Sequence, residues 1–206
     1  MLKIWGRTNS INVQKVLWCC AELNLEFDRV DAGGKFGVND TPEYLAMNPN
    51  GRVPTISDDG FILWESHAIV RYLARKHGSG TLWPADAKAC ADADRWMEWY
   101  STTLWPPLQP VFWNLVRTEP AKRDLKLVED SRRKVADLLK MAEANLAARP
   151  YLAGSAFTAG DIPLGVALHR WFLLPIERPD YPRLADYYQR LAQRPGFAAH
   201  CAAPLS

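Results

Sequence analysis

The sequence predicts an α/β domain followed by an all-α domain. Three observations support this. Residues 1–80 interleave short apolar strands with helical segments, the rest of the chain has almost no strand signal, and residues 79–85 (Ser-Gly-Thr-Leu-Trp-Pro-Ala) form a natural linker between the two textures. The expected domains are therefore 1–80 and 86–206.

The first domain opens with an apolar strand, Leu2 to Trp5. Val13, Val16, Leu17, Cys20 and Ala21 then recur at helical spacing, with Ser10 or Asn12 available as a cap. A second strand is expected over Glu26 to Val30. Thr41-Pro42 marks the start of a short helix, because proline at the first helical position loses no hydrogen bond. Strands at Pro54 to Ser57 and Phe61 to Leu63 flank Asp58-Asp59-Gly60, a hairpin turn signal. Ala68, Ile69, Tyr72 and Leu73 define a closing helix that ends at Gly78. Strands alternating with helices imply a sheet with parallel members and a hairpin at one edge.

In the second domain, helices are expected over Ala85 to Trp105, Lys122 to Ala148, Ala159 to Leu173 and Pro182 to Gln193. Pro106, Pro107 and Pro110 are expected to bend or break the chain between the first two.

Composition narrows the function classes. With 48% hydrophobic and 23% charged residues and a net charge of +2, the chain is an ordinary folded protein with no basic surface suited to nucleic acid. The densest cationic run, Arg132-Arg133-Lys134, has Glu129, Asp130 and Asp137 close by and reads as a solvated helix face. There is no secretory leader pattern and no run of eighteen apolar residues, so a cytoplasmic protein without membrane contact is expected. The four cysteines (Cys19, Cys20, Cys90, Cys201) form no CxxC and no zinc-ligand spacing. No metal is expected, and unpaired cysteines suit a reducing compartment.

Three segments carry chemistry. Thr8-Asn9-Ser10-Ile11-Asn12 joins the first strand to the first helix, where free N–H groups and the helix dipole favour an anion. Ser10 reads either as a plain helix cap or as a hydroxyl donor to a bound anion; no base stands at a spacing that would make it a nucleophile. In Asn48-Pro49-Asn50-Gly51-Arg52-Val53-Pro54, the proline opens a strand. Either it is an ordinary edge-strand proline, or a cis Val53–Pro54 bond turns the Val53 main chain outward to pair with an extended peptide. In Glu65-Ser66-His67-Ala68-Ile69, Ser66 can meet a carboxylate while Glu65 meets an ammonium, the pair of partners that an amino-acid end requires. Helix capping explains the same residues, and His67 reads as a surface histidine.

In this order and spacing, the three segments resemble the glutathione transferase superfamily. The Asn-Pro-Asn-Gly-Arg-Val-Pro run and the Glu-Ser-His-Ala-Ile run with Tyr72-Leu73 behind it are the most specific marks. Phe157-Thr158-Ala159-Gly160-Asp161-Ile162 is similar to that family's Ser/Thr-x-x-Asp box, with Thr158 expected to cap the helix and Asp161 to reach back to the Thr158 N–H. Gly160 departs from the bulkier residue usual there.

The resemblance implies a thioredoxin-like N-terminal domain, an all-helical C-terminal domain, a homodimer, and glutathione as cosubstrate. Ser10-Ile11-Asn12 resembles the theta-like and bacterial nu-like pattern. That likeness implies that the Ser10 hydroxyl contacts the glutathione sulfur, with Asn12 as a second catalytic residue. It further implies that Val53 and Pro54 present the main chain to the cysteinyl unit and that Glu65 and Ser66 hold the γ-glutamyl end. Arg52, with Lys35 as an alternative, meets the glycyl carboxylate. A free thiol has a pKa near 8.5. A hydrogen bond to a charged group is worth roughly 1.5–3 kcal/mol and a helix N-terminus roughly 0.3–1 kcal/mol, enough to lower that pKa by about one to two.

Trp105, Leu108, Trp113 and Arg117 are the candidates for an apolar electrophile, or else packing residues. Trp96, Trp99 and Tyr100 suit either a core or a subunit interface. Two other functions remain open from the sequence: a glutathione-dependent disulfide reductase and a non-catalytic scaffold. Cys19 and Cys20 lie too far along the first helix to receive a ligand at its start.

Overall fold

The computed structural model describes residues 1–206. The chain divides into two compact units, Met1–Trp83 with Pro195–Ala203 and Pro84–Arg194 with Pro204–Ser206.

The first unit is built on a four-stranded sheet, β1 (Leu2–Trp5), β2 (Phe27–Val30), β3 (Thr55–Asp58) and β4 (Phe61–Trp64), in the order β2-β1-β3-β4. β1 runs parallel to β2 and antiparallel to β3, with Ile4 opposite Arg29 on one side and Ile56 on the other. The β3–β4 hairpin turns at Asp59 and Gly60, both at positive φ, as a two-residue turn between twisted strands requires. Three helices complete the run: α1 (Ile11–Glu22), α2 (Pro42–Met47) and α3 (Ser66–His77). Thr41 caps α2 by accepting the Tyr44 N–H, with Pro42 at the first position as expected. This is the thioredoxin-like arrangement.

α1 packs on α3, Val13, Val16, Ile69, Val70 and Leu73 are all buried, and the Cys19 thiol points to the Val70 carbonyl at 3.8 Å. A short last helix, α9 (Pro195–His200), also belongs to this unit, although the sequence placed everything after residue 86 in the helical half. Phe197 meets the Trp18 ring edge-on at 5.0 Å, and a Cβ on Gly196 would sit 2.9 Å from Ala21 Cβ.

The second unit holds α4 (Ala87–Trp99), α5 (Trp105–Phe112), α6 (Leu125–Asn145), α7 (Asp161–Leu173) and α8 (Pro182–Ala192). Of the bend or break expected at the prolines, the break is not there. Helical dihedrals continue from α4 through α5, joined by a π-helical turn, Tyr100–Leu104, and followed by another, Trp113–Arg117. The Trp105 N–H reaches back five residues to the Tyr100 carbonyl, and Thr118 N–H does the same to Trp113. Proline removes an i→i−4 donor and crowds the preceding turn; widening that turn to i→i−5 relieves both without ending the helix. Trp96 and Tyr100 are buried and Trp99 is half-buried, so this aromatic cluster is largely interior.

At the start of α7, Asp161 is fully buried and accepts from Leu152 N–H (2.9 Å), Thr158 N–H (2.8 Å), Thr158 hydroxyl (3.1 Å) and Tyr187 hydroxyl (2.8 Å). Asp161 thus reaches back as expected. The Thr158 hydroxyl, however, spends its proton on Asp161 instead of capping the helix; Gly160 occupies the cap position, with no side-chain bond. Gly160 has a packing cause. A Cβ there would lie 2.7 Å from the Ala93 carbonyl oxygen and 2.9 Å from Ala93 Cα, both backbone atoms of α4. Gly160→Ala is therefore expected to destabilise the protein by about 1–3 kcal/mol through overpacking, read as a lowered midpoint in urea. An unchanged midpoint would mean that α4 and α7 are free to separate.

Candidate functional site

Ser10 occupies the position before α1 with extended backbone (φ −82, ψ 125), and its carbonyl takes the first helical bond, from Gln14 N–H at 2.9 Å. Its hydroxyl makes no capping bond. Of the two readings of Ser10, the cap is therefore not realised. The side chain is 8% exposed, at a helix end whose N–H groups favour negative charge.

The loop before β3 is held by a buried polar hub. Tyr44 hydroxyl donates to the Arg52 carbonyl (2.7 Å), and Asn48 Nδ2 donates to the same carbonyl (2.8 Å) and to Thr55 Oγ1 (3.0 Å). Asn48 Oδ1 accepts from both the N–H and the side chain of Asn50 at 3.1 Å. Satisfied networks of this kind fix one geometry, which is what an Asn-Pro-Asn-Gly run needs to aim the next residues. The Val53–Pro54 bond is cis, and Val53 stands just before the strand ladder, which begins at Thr55 opposite Trp5. Asn39 Nδ2 ties the neighbouring loop to the Gly51 carbonyl at 2.7 Å. A Cβ on Gly33 would come 3.2 Å from Val53 Cγ2, so the turn carrying Lys35 lies against Val53. Lys35 and Arg52 are both exposed, with Lys35 Nζ 5.1 Å above the Phe36 ring.

α3 begins in the same unit. Glu65, its capping position, sits at φ 70 and ψ 112, a conformation that costs a non-glycine residue roughly 1–3 kcal/mol. Its side chain is exposed and makes no capping bond. The Ser66 hydroxyl donates to Asn12 Oδ1 at 3.4 Å, which brings the starts of α1 and α3 together. Two residues that the sequence did not single out or misplaced complete this contact. Lys15 is 2% exposed, and its Nζ donates to Asn12 Oδ1 at 3.0 Å and meets His67 Nε2 at 3.1 Å. His67 is buried, not on the surface; burial first, then the charges of Lys15 and Arg71, push its pKa down to about 2. A signal for Lys15 was present: it is the one charged residue between Ile11 and Cys20 of a helix whose apolar positions recur on every side of it.

The candidates of the second unit are dispersed. Trp105 stacks on Tyr100 (6.1 Å, 26°). Leu108 is 1% exposed among Leu104, Val135, Leu139 and Trp171. Trp113 is exposed, with the Arg117 guanidinium over its ring at 5.6 Å and over Phe112 at 5.3 Å. Arg117 also donates to the Ser206 carbonyl at 3.3 Å.

None of the cysteines is disposed as a nucleophile. Cys19 and Cys20 are fully buried; burial pushes the Cys20 thiol up to about 12 and raises Cys19 in the same direction. Cys201 is buried and Cys90 donates to the Pro84 carbonyl. What the first unit offers instead is an uncommitted hydroxyl at a positive helix end, an exposed carboxylate, and a fixed loop.

Two family models match this chain: "Glutathione S-transferase, N-terminal domain" over residues 1–75 and "Glutathione S-transferase, C-terminal domain" over residues 126–190. Glutathione S-transferase GstB of Escherichia coli (strain K12) is 38% identical over 208 aligned positions, with both chains covered completely. Glutathione S-transferase 3 of Zea mays is 36% identical, covering 98% of this chain and 94% of the relative. Among solved structures, the theta class glutathione S-transferase from the citrus canker pathogen Xanthomonas axonopodis pv. citri, with glutathione bound, superposes with a TM-score of 0.96. It is 44% identical and covers 100% of this chain and 99% of that one.

The missing cap bond makes a distinct prediction for stability. Losing a working serine cap costs about 0.5–2 kcal/mol; Ser10→Ala is expected to change unfolding free energy by less than roughly 0.5 kcal/mol. A loss of about 1 kcal/mol or more in denaturant melts would restore the capping role.

Proposed function

The chain belongs to the glutathione S-transferase family, and on that footing we propose how its residues divide the work. It is a glutathione transferase with glutathione as cosubstrate. In the proposed reaction the Ser10 hydroxyl, with Asn12 beside it, donates to the glutathione sulfur and holds it as thiolate. The thiol proton passes to solvent. The thiolate then forms a bond to an electrophilic carbon, whose leaving group departs with the electrons of the broken bond. No general base is needed, because a donor that binds thiolate better than thiol lowers the barrier by itself.

The observation that carries this reading is the Ser10 hydroxyl, placed at the α1 N-terminus and left unused by the helix. The remaining roles follow the ligand's chemistry. The Val53–Pro54 main chain pairs with the cysteinyl unit. The Glu65 carboxylate takes the γ-glutamyl ammonium while the backbone N–H of Ser66, whose hydroxyl is given to Asn12 Oδ1, meets its carboxylate, and Arg52, or Lys35 from the adjacent turn, takes the glycyl carboxylate. The strained Glu65 backbone supports its place in this set, since such conformations persist mainly at ligand sites. The buried, protonated cysteines count against a glutathione-dependent disulfide reductase that uses a cysteine of its own, and do not bear on one that works through bound glutathione alone.

Trp105, Leu108, Trp113 and Arg117 are assigned to an apolar electrophile; the exposed Trp113 ring and the Arg117 guanidinium are the parts open to it, and Leu108 acts only as backing. No helix is long and apolar enough to cross a membrane, and free thiols with a thiol cosubstrate fit the cytoplasm.

The experiment for the central role is to titrate the thiolate absorbance of bound glutathione against pH. Ser10→Ala is expected to raise the thiol pKa by about one, the equivalent of roughly 1.4 kcal/mol. Identical titrations would remove Ser10 and pass the role to Asn12 or the backbone.

The chain is also proposed to be a two-fold homodimer. β4 is an edge strand that exposes Phe61 (51%) and Trp64 (37%), and an apolar edge of that kind calls for cover. Light scattering is expected to give about twice the 23.3 kDa chain mass. Phe61→Glu, which places two like charges across a self-complementary contact, should return monomer. A wild-type monomer at micromolar concentration would refute the dimer.

A further inference from the structure

Lys15 is an expensive residue where it stands. An ammonium taken out of water needs compensating hydrogen bonds, and the first half of a helix opposes a cation through its dipole. Lys15 nevertheless lies 2% exposed in the second turn of α1. An ammonium can only donate, so the two neutral groups it meets must both accept from it. At His67 this assigns an unprotonated Nε2, at 3.1 Å, in keeping with a histidine that burial and neighbouring cations keep neutral. At Asn12 it assigns the oxygen to the Lys15 side, at 3.0 Å. The Ser66 hydroxyl donates to that same oxygen at 3.4 Å.

A side-chain amide has an acceptor end and a donor end that exchange by a flip. With two donors fixed on its oxygen, Asn12 has its orientation decided, and its Nδ2 is left as a donor in the first turn of α1, two residues from Ser10. A flipped Asn12 would offer oxygen there, which repels a thiolate.

We propose that Lys15 is a positioning residue for the thiolate site: it locks the Asn12 amide so that an N–H, never the oxygen, is presented beside the Ser10 hydroxyl. The role acts through Asn12 and rests on the reading of Ser10 and Asn12 as thiolate donors. It assigns His67 a structural part, as a neutral acceptor for the Lys15 Nζ.

The test is a double-mutant cycle read by the pH titration of bound glutathione and by single-turnover conjugation. Lys15→Met is expected to slow conjugation about tenfold or more, tenfold being the low end of what one lost hydrogen bond to a charged group represents, and to raise the bound-thiol pKa, with glutathione affinity within about twofold of the wild type. Asn12→Ala should do the same, and adding Lys15→Met to Asn12→Ala should change the titration no further. Additive effects would overturn the proposal, because they would make Lys15 a charge acting by itself. If Asn12→Ala shifts the titration and Lys15→Met does not, the positioning role fails while the thiolate reading stands. If Asn12→Ala shifts nothing, the positioning role fails together with Asn12's part as a donor, and the Ser10 reading is left to the Ser10→Ala titration. Lys15→Gln, which keeps an N–H donor without charge, keeps the test available should Lys15→Met not fold. It is expected to recover most of the wild-type titration; a titration as high as that of Lys15→Met also overturns the proposal.

Discussion

The contact on which the site depends is the tie between the starts of α1 and α3. Asn12 Oδ1 takes the Ser66 hydroxyl and the Lys15 ammonium, Lys15 reaches on to His67, and Cys19 points to the Val70 carbonyl further along. These bonds hold two helix N-termini together within one unit. Each end carries about half a positive charge in unpaired N–H groups. Bringing two such ends together is unfavourable unless something negative comes between or beside them. In the proposed binding mode a tripeptide with two carboxylates and a thiolate supplies that charge.

The same logic explains why the polar hub around Tyr44, Asn48 and Thr55 is buried so completely. The Arg52 carbonyl receives two donors, which leaves the chain one path into Pro54 and β3. A loop held by solvent-exposed bonds would fray; one held by a satisfied interior network keeps the Val53 main chain in one place, as the proposed pairing with the cysteinyl unit requires. Stability and binding are thus served by the same side chains, whereas Glu65 shows the opposite case, a backbone kept in a costly conformation by its surroundings.

Much of this was legible in the sequence because it is local. Proline at the α2 start, Asp-Gly in the hairpin and the apolar period of α1 each write their own element. The Asn48–Pro54 and Glu65–Ile69 runs were legible as segments, and their residues lie in one unit. What escaped has a common cause: it depends on parts distant in sequence. Gly160 is explained only by the backbone of Ala93, and α9 only by Trp18 and Ala21. His67 looks exposed by type and is buried because α1 lies against it. The prolines of α5 left bend and break equally open, because a widened turn can absorb what a regular α-helix cannot. Ser10 itself was undecidable without seeing that its hydroxyl declines the cap.

The central claim is that Ser10, not a cysteine or a base, meets the reacting sulfur. A crystal structure of the protein with glutathione bound measures this directly. The account predicts the sulfur within hydrogen-bonding distance of Ser10 Oγ, about 3.0–3.5 Å, with the γ-glutamyl end at Glu65 and Ser66. A sulfur more than about 5 Å from Ser10 Oγ, or facing a different donor, would contradict it.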